Sequence, residues 1–213
     1  MSTMLDPETK SSVASATEES VSANERITAF AGSVLFVLLA VEGFTLLGVG
    51  QMLTLHEFVG VLLVGPIVLK LGATGWRFVR YYSGEPAYRH KGPPWLPLRV
   101  LAPVLVLSTI VLVGSGVGLW AYGHDAGGLL FLHKASFIVW IAVSGIHVLY
   151  YLWRVPALLL ADLRRSASRG RGLRLGLALA SVVIGTLLAM LTVGGHTDFR
   201  HHDDGRFEHV DNR

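Results

Sequence analysis

The sequence has no cysteine among its 213 residues. Disulfides, thiolate-held iron–sulfur clusters and cysteine-attached haem are therefore excluded within this chain. Charge is also scarce: Asp, Glu, Lys and Arg together make up 15% of the residues, against 52% hydrophobic ones. No P-loop, dinucleotide-binding fingerprint or serine nucleophile elbow occurs, and the polar connections are too short to hold such domains. Substrate chemistry would have to take place inside a membrane or on a partner. The formal net charge of +3 does not point to nucleic acid, because Lys and Arg gather beside apolar runs rather than in a surface patch of their own.

What is present is apolar. Runs near twenty residues recur, each long enough to cross the hydrocarbon core of a bilayer as a helix. The pattern predicts five transmembrane helices, at about residues 27–50, 54–81, 98–122, 128–153 and 173–194. The expected fold class is all-α, an integral membrane helix bundle in contact with the lipid bilayer. Residues 1–26 are polar and rich in Ser, Thr and Glu; with no apolar core, they read as a disordered tail rather than a cleavable signal peptide. Residues 195–213 read as a second polar tail, rich in His and Asp, beyond a bundle spanning 27–194.

Topology follows from the basic residues in the connections. Arg77, Arg80, Arg89, Lys91 and Arg99 surround the second loop, and Arg154, Arg164, Arg165, Arg169, Arg171 and Arg174 the fourth. The first loop carries no charge and the third only Asp125. The positive-inside rule then places the amino terminus inside and the carboxyl terminus outside. Trp76 and Trp153 fall at the inner interface and Trp120 at the outer one, as an aromatic belt requires.

Within this orientation the histidines carry chemistry. His133 and His147 stand fourteen residues apart in one predicted helix. That interval turns through about 1400°, about 40° short of four full turns, and rises about 21 Å, so both imidazoles share one face near opposite membrane surfaces. His56 and Lys70 repeat the same interval in the second predicted helix. Both helices run from outside to inside, so His56 and His133 share a depth near the outer surface. Haem b needs an axial nitrogen on each side of its ring, from helices that face each other, and a buried neutral imidazole is the usual donor. The His56–His133 pair meets that demand. Gly60, one turn below His56, leaves room for a flat macrocycle, as Gly114, Gly116 and Gly118 would on the third helix. The plain alternative is a pair of interfacial histidines bonded to water. His147 resists it, because ionisable groups at depth are costly and usually functional.

Three further groups have two readings each. Glu42 lies inside the first span, where a carboxyl serves a proton or quinone site or bonds a neighbouring helix or His56. Lys134 meets a haem propionate or snorkels to the outer surface. His196, His201, His202 and His209, among Asp198, Asp203 and Asp204, would bind a transition metal weakly or form a solvated tail, and no fixed zinc or copper spacing occurs.

The segments VEGFTLL, LHEFVG, WRFVRYYSGEPAYRHKGPP and LHKASFIVW resemble a group of actinobacterial cytochrome b domain proteins. The ligand spacing on the second and fourth helices also resembles the membrane cytochrome b subunits of respiratory complexes and the b-type anchors of hydrogenases and molybdopterin oxidoreductases. The resemblance covers roughly residues 27 to 153. It implies a four-helix haem-binding core in a multi-pass protein of the bacterial plasma membrane. His56 and His133 match the outer haem pair and His147 one inner ligand. It implies an electron-transfer subunit of an oxidoreductase rather than a self-sufficient enzyme, passing electrons through haem iron between a quinone pool or a redox partner subunit and the other side of the membrane. Lys70 departs from the pattern, standing where a two-haem cytochrome b has its fourth histidine. Lysine coordinates iron only as the free amine, and removing its proton at pH 7 from an ordinary pKa near 10.4 costs about 4–5 kcal/mol. Lys70 is thus a ligand, a partner to a propionate, or a structural partner to another polar group, and one haem b is expected, with two as the open question. From a different class, the chain reads as a haem-free membrane carrier or structural anchor with an ion path through Glu42, Lys70 and His147.

Overall fold

The computed structural model describes residues 7–90, 92, 96–123, 127–152, 157, 160 and 171–207, with the side chains of 7–20, 171 and 194–207 left aside. The described residues are helical almost throughout and include no strand. In chain order the helices are α1 (Pro7–Thr45), α2 (Leu53–Tyr82), the short α3 (Pro86–His90), α4 (Leu96–Tyr122), α5 (Leu129–Tyr151) and α6 (Arg171–Phe207). A single 3-10 turn at Leu46–Gly48 joins α1 to α2. Among the described residues, five helical segments are long and apolar enough to cross a membrane: Val21–Gly48, Leu53–Tyr82, Leu96–Tyr122, Leu129–Tyr151 and Gly172–Val193. The chain is accordingly a multi-pass helical membrane protein.

Two helices outrun the spans expected for them. α1 starts at Pro7, within the tail expected to be disordered, because proline suits a first helical position and neither Gly nor Pro interrupts the chain again before Gly32. α6 continues past Val193 to Phe207 with no proline to stop it, so the backbone at His196, His201 and His202 is helical. His209, Trp153 and the basic residues Lys91, Arg154, Arg164, Arg165 and Arg169 lie outside the described residues.

The bundle is built from two groups. α2 packs closely on both α1 and α6, and α4 packs along α5. Between the groups the principal contact is a light one of α2 with α4, while α2 and α5 have little or no backbone contact. The α2–α6 crossing explains why the first group is tight. Pro66 has no N–H, so the Leu62 carbonyl one turn earlier lacks its helical donor. That carbonyl lies directly against Gly185 of α6, while the Ser181 carbonyl of α6 lies directly against Gly65. A Cβ at either glycine would collide with the opposing backbone. Each glycine therefore puts a Cα hydrogen against a carbonyl, a contact worth about 0.5–1 kcal/mol. Ala178, Ser181, Ala189 and Val193 continue the buried stripe along α6, and Pro66 of α2 is fully buried.

In the second group, Trp140 Nε1 on α5 donates to Thr109 Oγ1 on α4 at 3.0 Å. Ser108 and Ser115 of α4 and Ser136 and Ser144 of α5 are buried, small residues that let the two backbones approach. Gly118 accepts the Leu129 side chain, which a Cβ would meet at 3.1 Å. The turn after α2 ends at Gly84, whose φ of 89° is one an L side chain rarely adopts.

Candidate functional site

The slot between the two helix groups holds the site. His56 stands near the start of α2 and His133 near the start of α5. Their ring centres are 6.3 Å apart and their planes cross at 87°. The backbones of these helices scarcely meet, yet the two imidazoles come together between them.

Each ring is held from behind by a different helix. His56 Nδ1 lies 2.9 Å from Glu42 Oε1 and 3.0 Å from Thr45 Oγ1, both on α1. Thr45, fully buried, spends its hydroxyl hydrogen on the Glu42 carbonyl at 2.6 Å. Its oxygen is therefore an acceptor toward the ring, and the His56 proton sits on Nδ1. His133 Nδ1 lies 3.1 Å from the Leu112 carbonyl and 3.2 Å from Ser115 Oγ, both on α4. A carbonyl only accepts, so this ring too carries its proton on Nδ1. Ser115 donates to the same Leu112 carbonyl at 3.0 Å, which leaves its oxygen free to accept.

In its neutral form each ring thus takes one tautomer, with Nε2 left as the acceptor nitrogen on the side away from these partners. Neither Nε2 has a hydrogen bond among the described residues. A hydrogen bond at one ring nitrogen that orients the other is the arrangement metal-binding histidines use. Two imidazoles bound end-on to one metal at about 2.0–2.1 Å would place their ring centres about 6.3–6.5 Å apart. The observed separation matches that span. No three His, Asp or Glu side chains of the described residues group as a metal site. Two imidazoles can complete the coordination of a metal that arrives with its other ligands already attached, as iron does in a porphyrin.

The glycines expected to admit a macrocycle divide. Gly60 faces Glu42, whose Oε1 a Cβ would meet at an ordinary 3.6 Å. Gly116 faces His133 itself: a Cβ there would come within 3.2 Å of the ring Cε1. Gly114 has open space where a Cβ would stand. Lys134 is exposed, one residue along from His133.

The other end of the bundle is organised differently. Lys70 Nζ donates to the Thr28 carbonyl of α1 at 3.1 Å, and Gly32 gives it room, since a Cβ there would stand 2.7 Å from the nitrogen. His147 lies against Tyr151, ring centres 4.9 Å apart. Lys70 and His147 share no hydrogen bond; the bond that Lys70 makes is to α1. Thr45, Leu112 and Ser115, which bond the two imidazoles, carry no sequence signal of their own. Only Glu42 stood out, as a carboxyl inside an apolar run.

No family model, curated protein or solved structure matches the chain. What the fold and site define is a class: a multi-pass helical membrane protein with a pair of pre-oriented imidazoles between two of its helices. Nothing in these comparisons narrows that class further.

Proposed function

We propose that this chain is a b-type cytochrome of a membrane electron-transfer system, with His56 and His133 as the axial ligands of one haem b. The observation that carries the reading is the tautomer lock on both rings at a separation suited to one shared metal. When bound, haem iron held by two imidazoles cycles between ferric and ferrous states, one electron at a time. The protein's part is to supply both nitrogens at fixed orientation, from α2 and α5. Apolar helices around the pair keep bulk water from it. Glu42 and Thr45 hold one ring, and Leu112 and Ser115 hold the other. Lys134, exposed beside His133 on α5, would meet a propionate of the haem.

In this reading the haem end faces the outside, the N-terminus is inside, and the membrane is the bacterial plasma membrane. The donor and acceptor are a quinone or a redox partner subunit, because the connections between the spans are too short to hold a substrate-oxidising domain. A single haem is favoured over two, since Lys70 is engaged with the α1 backbone. The carrier reading gains no support: no described hydrogen bond links the Glu42–His56 pair to Lys70 or His147. The test is the absorption spectrum of protein purified from cells supplied with haem. A Soret band and a pyridine haemochrome of haem b, at near one per chain, are expected. A colourless protein rejects the proposal.

A further inference from the structure

The two ligands are not held alike. Behind His133 stands a neutral backbone carbonyl with a hydroxyl beside it. Behind His56 stands the side chain of an acid, with Oε1 2.9 Å from Nδ1 and the buried Oε2 without a hydrogen bond among the described residues. The carboxyl is built in rather than incidental. The Thr45 hydroxyl ties the chain back to the Glu42 carbonyl at 2.6 Å, Thr45 is itself fully buried, and the bare Cα of Gly60 faces Oε1. Glu42 is only one of several acidic residues near the pair in sequence, but it is the one whose oxygen touches a ring nitrogen. Glu57, adjacent to His56 in the chain, makes no bond to either imidazole.

We infer that Glu42 is a positioning residue that sets the electron-donating strength of His56, and through it the reduction potential of the haem the pair would hold. This rests on the haem reading above. A strong acceptor on Nδ1–H pushes electron density through the ring to Nε2, which favours the more positively charged metal. The ferric state is stabilised more than the ferrous, and the midpoint potential falls. The ligand pair is asymmetric by construction: α1 tunes one side with a replaceable side chain, while α4 fixes the other with backbone that substitution does not remove. A merely structural Glu42 would secure the α1–α2 contact and leave the potential where it was.

The experiment is redox potentiometry of the purified haem-loaded protein, with low-temperature EPR on the same samples. Glu42→Gln keeps the size of the side chain and an acceptor oxygen but weakens the acceptor. Its midpoint is expected to rise, so that at a fixed ambient potential the reduced-to-oxidised ratio increases about tenfold, equivalent to about 59 mV for one electron. The low-spin EPR signal should persist with altered g-anisotropy. Thr45→Val, which removes the second acceptor together with the hydroxyl's bond to the Glu42 carbonyl, should move the midpoint the same way by less, and gives an independent reading if Glu42→Gln folds poorly. Glu57→Gln deletes a nearby acid without touching Nδ1 and should shift the ratio by under threefold. A wild-type protein with a low-spin haem whose midpoint is the same in Glu42→Gln and Thr45→Val overturns this inference and leaves the haem reading standing. Equal shifts in Glu42→Gln and Glu57→Gln also overturn it, since they would mark a general field effect. A wild-type protein without haem overturns both.

Discussion

His56 and His133 are crossed at 87° with ring centres 6.3 Å apart, although the helices that carry them, α2 and α5, scarcely touch. Side chains reaching toward each other across unpacked backbone are unusual in a bundle whose other neighbours pack through glycine, serine and alanine. Four properties of the chain can be checked with or without the proposed haem.

Lys70 anchors α2 to α1 and is not part of the haem set in this account. Replacing it with methionine removes the 3.1 Å bond to the Thr28 carbonyl. Polar contacts between membrane helices average about 0.6 kcal/mol and reach about 1.7, so a small loss of stability in a detergent melt is expected. Haem content, measured as pyridine haemochrome per protein, should stay near one in both proteins. A drop from two to one would make Lys70 a ligand.

The α2–α6 crossing depends on the absence of a side chain at two places. Gly65→Ala or Gly185→Ala sets a methyl group into the opposing backbone and should cost about 1–3 kcal/mol, read as a lower melting temperature. Gly72 and Gly75 lie on the same helix with nothing within 4 Å of a Cβ. Alanine there should leave stability unchanged or raise it by about 0.5–1 kcal/mol, through helix propensity alone. Equal effects at Gly65 and Gly72 would contradict the packing described.

The hydrogen bond from Trp140 to Thr109 joins α4 to α5 at 3.0 Å. A double-mutant cycle of Trp140→Phe and Thr109→Val should give a coupling of about 0.6 kcal/mol, and no more than about 1.7. Strict additivity would mean that the two side chains do not meet in the membrane.

Orientation is testable because the chain has no cysteine of its own. Gln51, exposed between α1 and α2, and Ser83, exposed after α2, sit at opposite ends of one span. With the amino terminus inside, Gln51→Cys in intact cells should react with an impermeant maleimide, and Ser83→Cys only after the membrane is opened. The reverse pattern would invert the topology and place the histidine pair at the inner face.

The five spans were legible in the sequence because crossing a bilayer demands length and apolarity, and those survive in composition. Their ends were not: α1 extends back to Pro7 because Glu, Ala and Ser without an intervening Gly or Pro tolerate a helix that hydropathy does not register. His56 and His133 stand out in the sequence by their spacing along predicted helices. Their partners were hidden, because Thr45, Leu112 and Ser115 matter only through which helix lies beside which, and apolar periodicity does not say. Lys70 shows the same limit in reverse. Its interval from His56 equals that between His133 and His147, yet its amine goes sideways to Thr28 where Gly32 makes room.

The central claim is that two imidazoles hold one iron. Near-infrared magnetic circular dichroism of the oxidised protein, taken on the wild type and on His56→Ala and His133→Ala, addresses it most directly. The account predicts the charge-transfer band of a bis-histidine low-spin ferric haem in the wild type, and its loss in each variant with the haem five-coordinate or gone. A bis-histidine band that survives either substitution would contradict it.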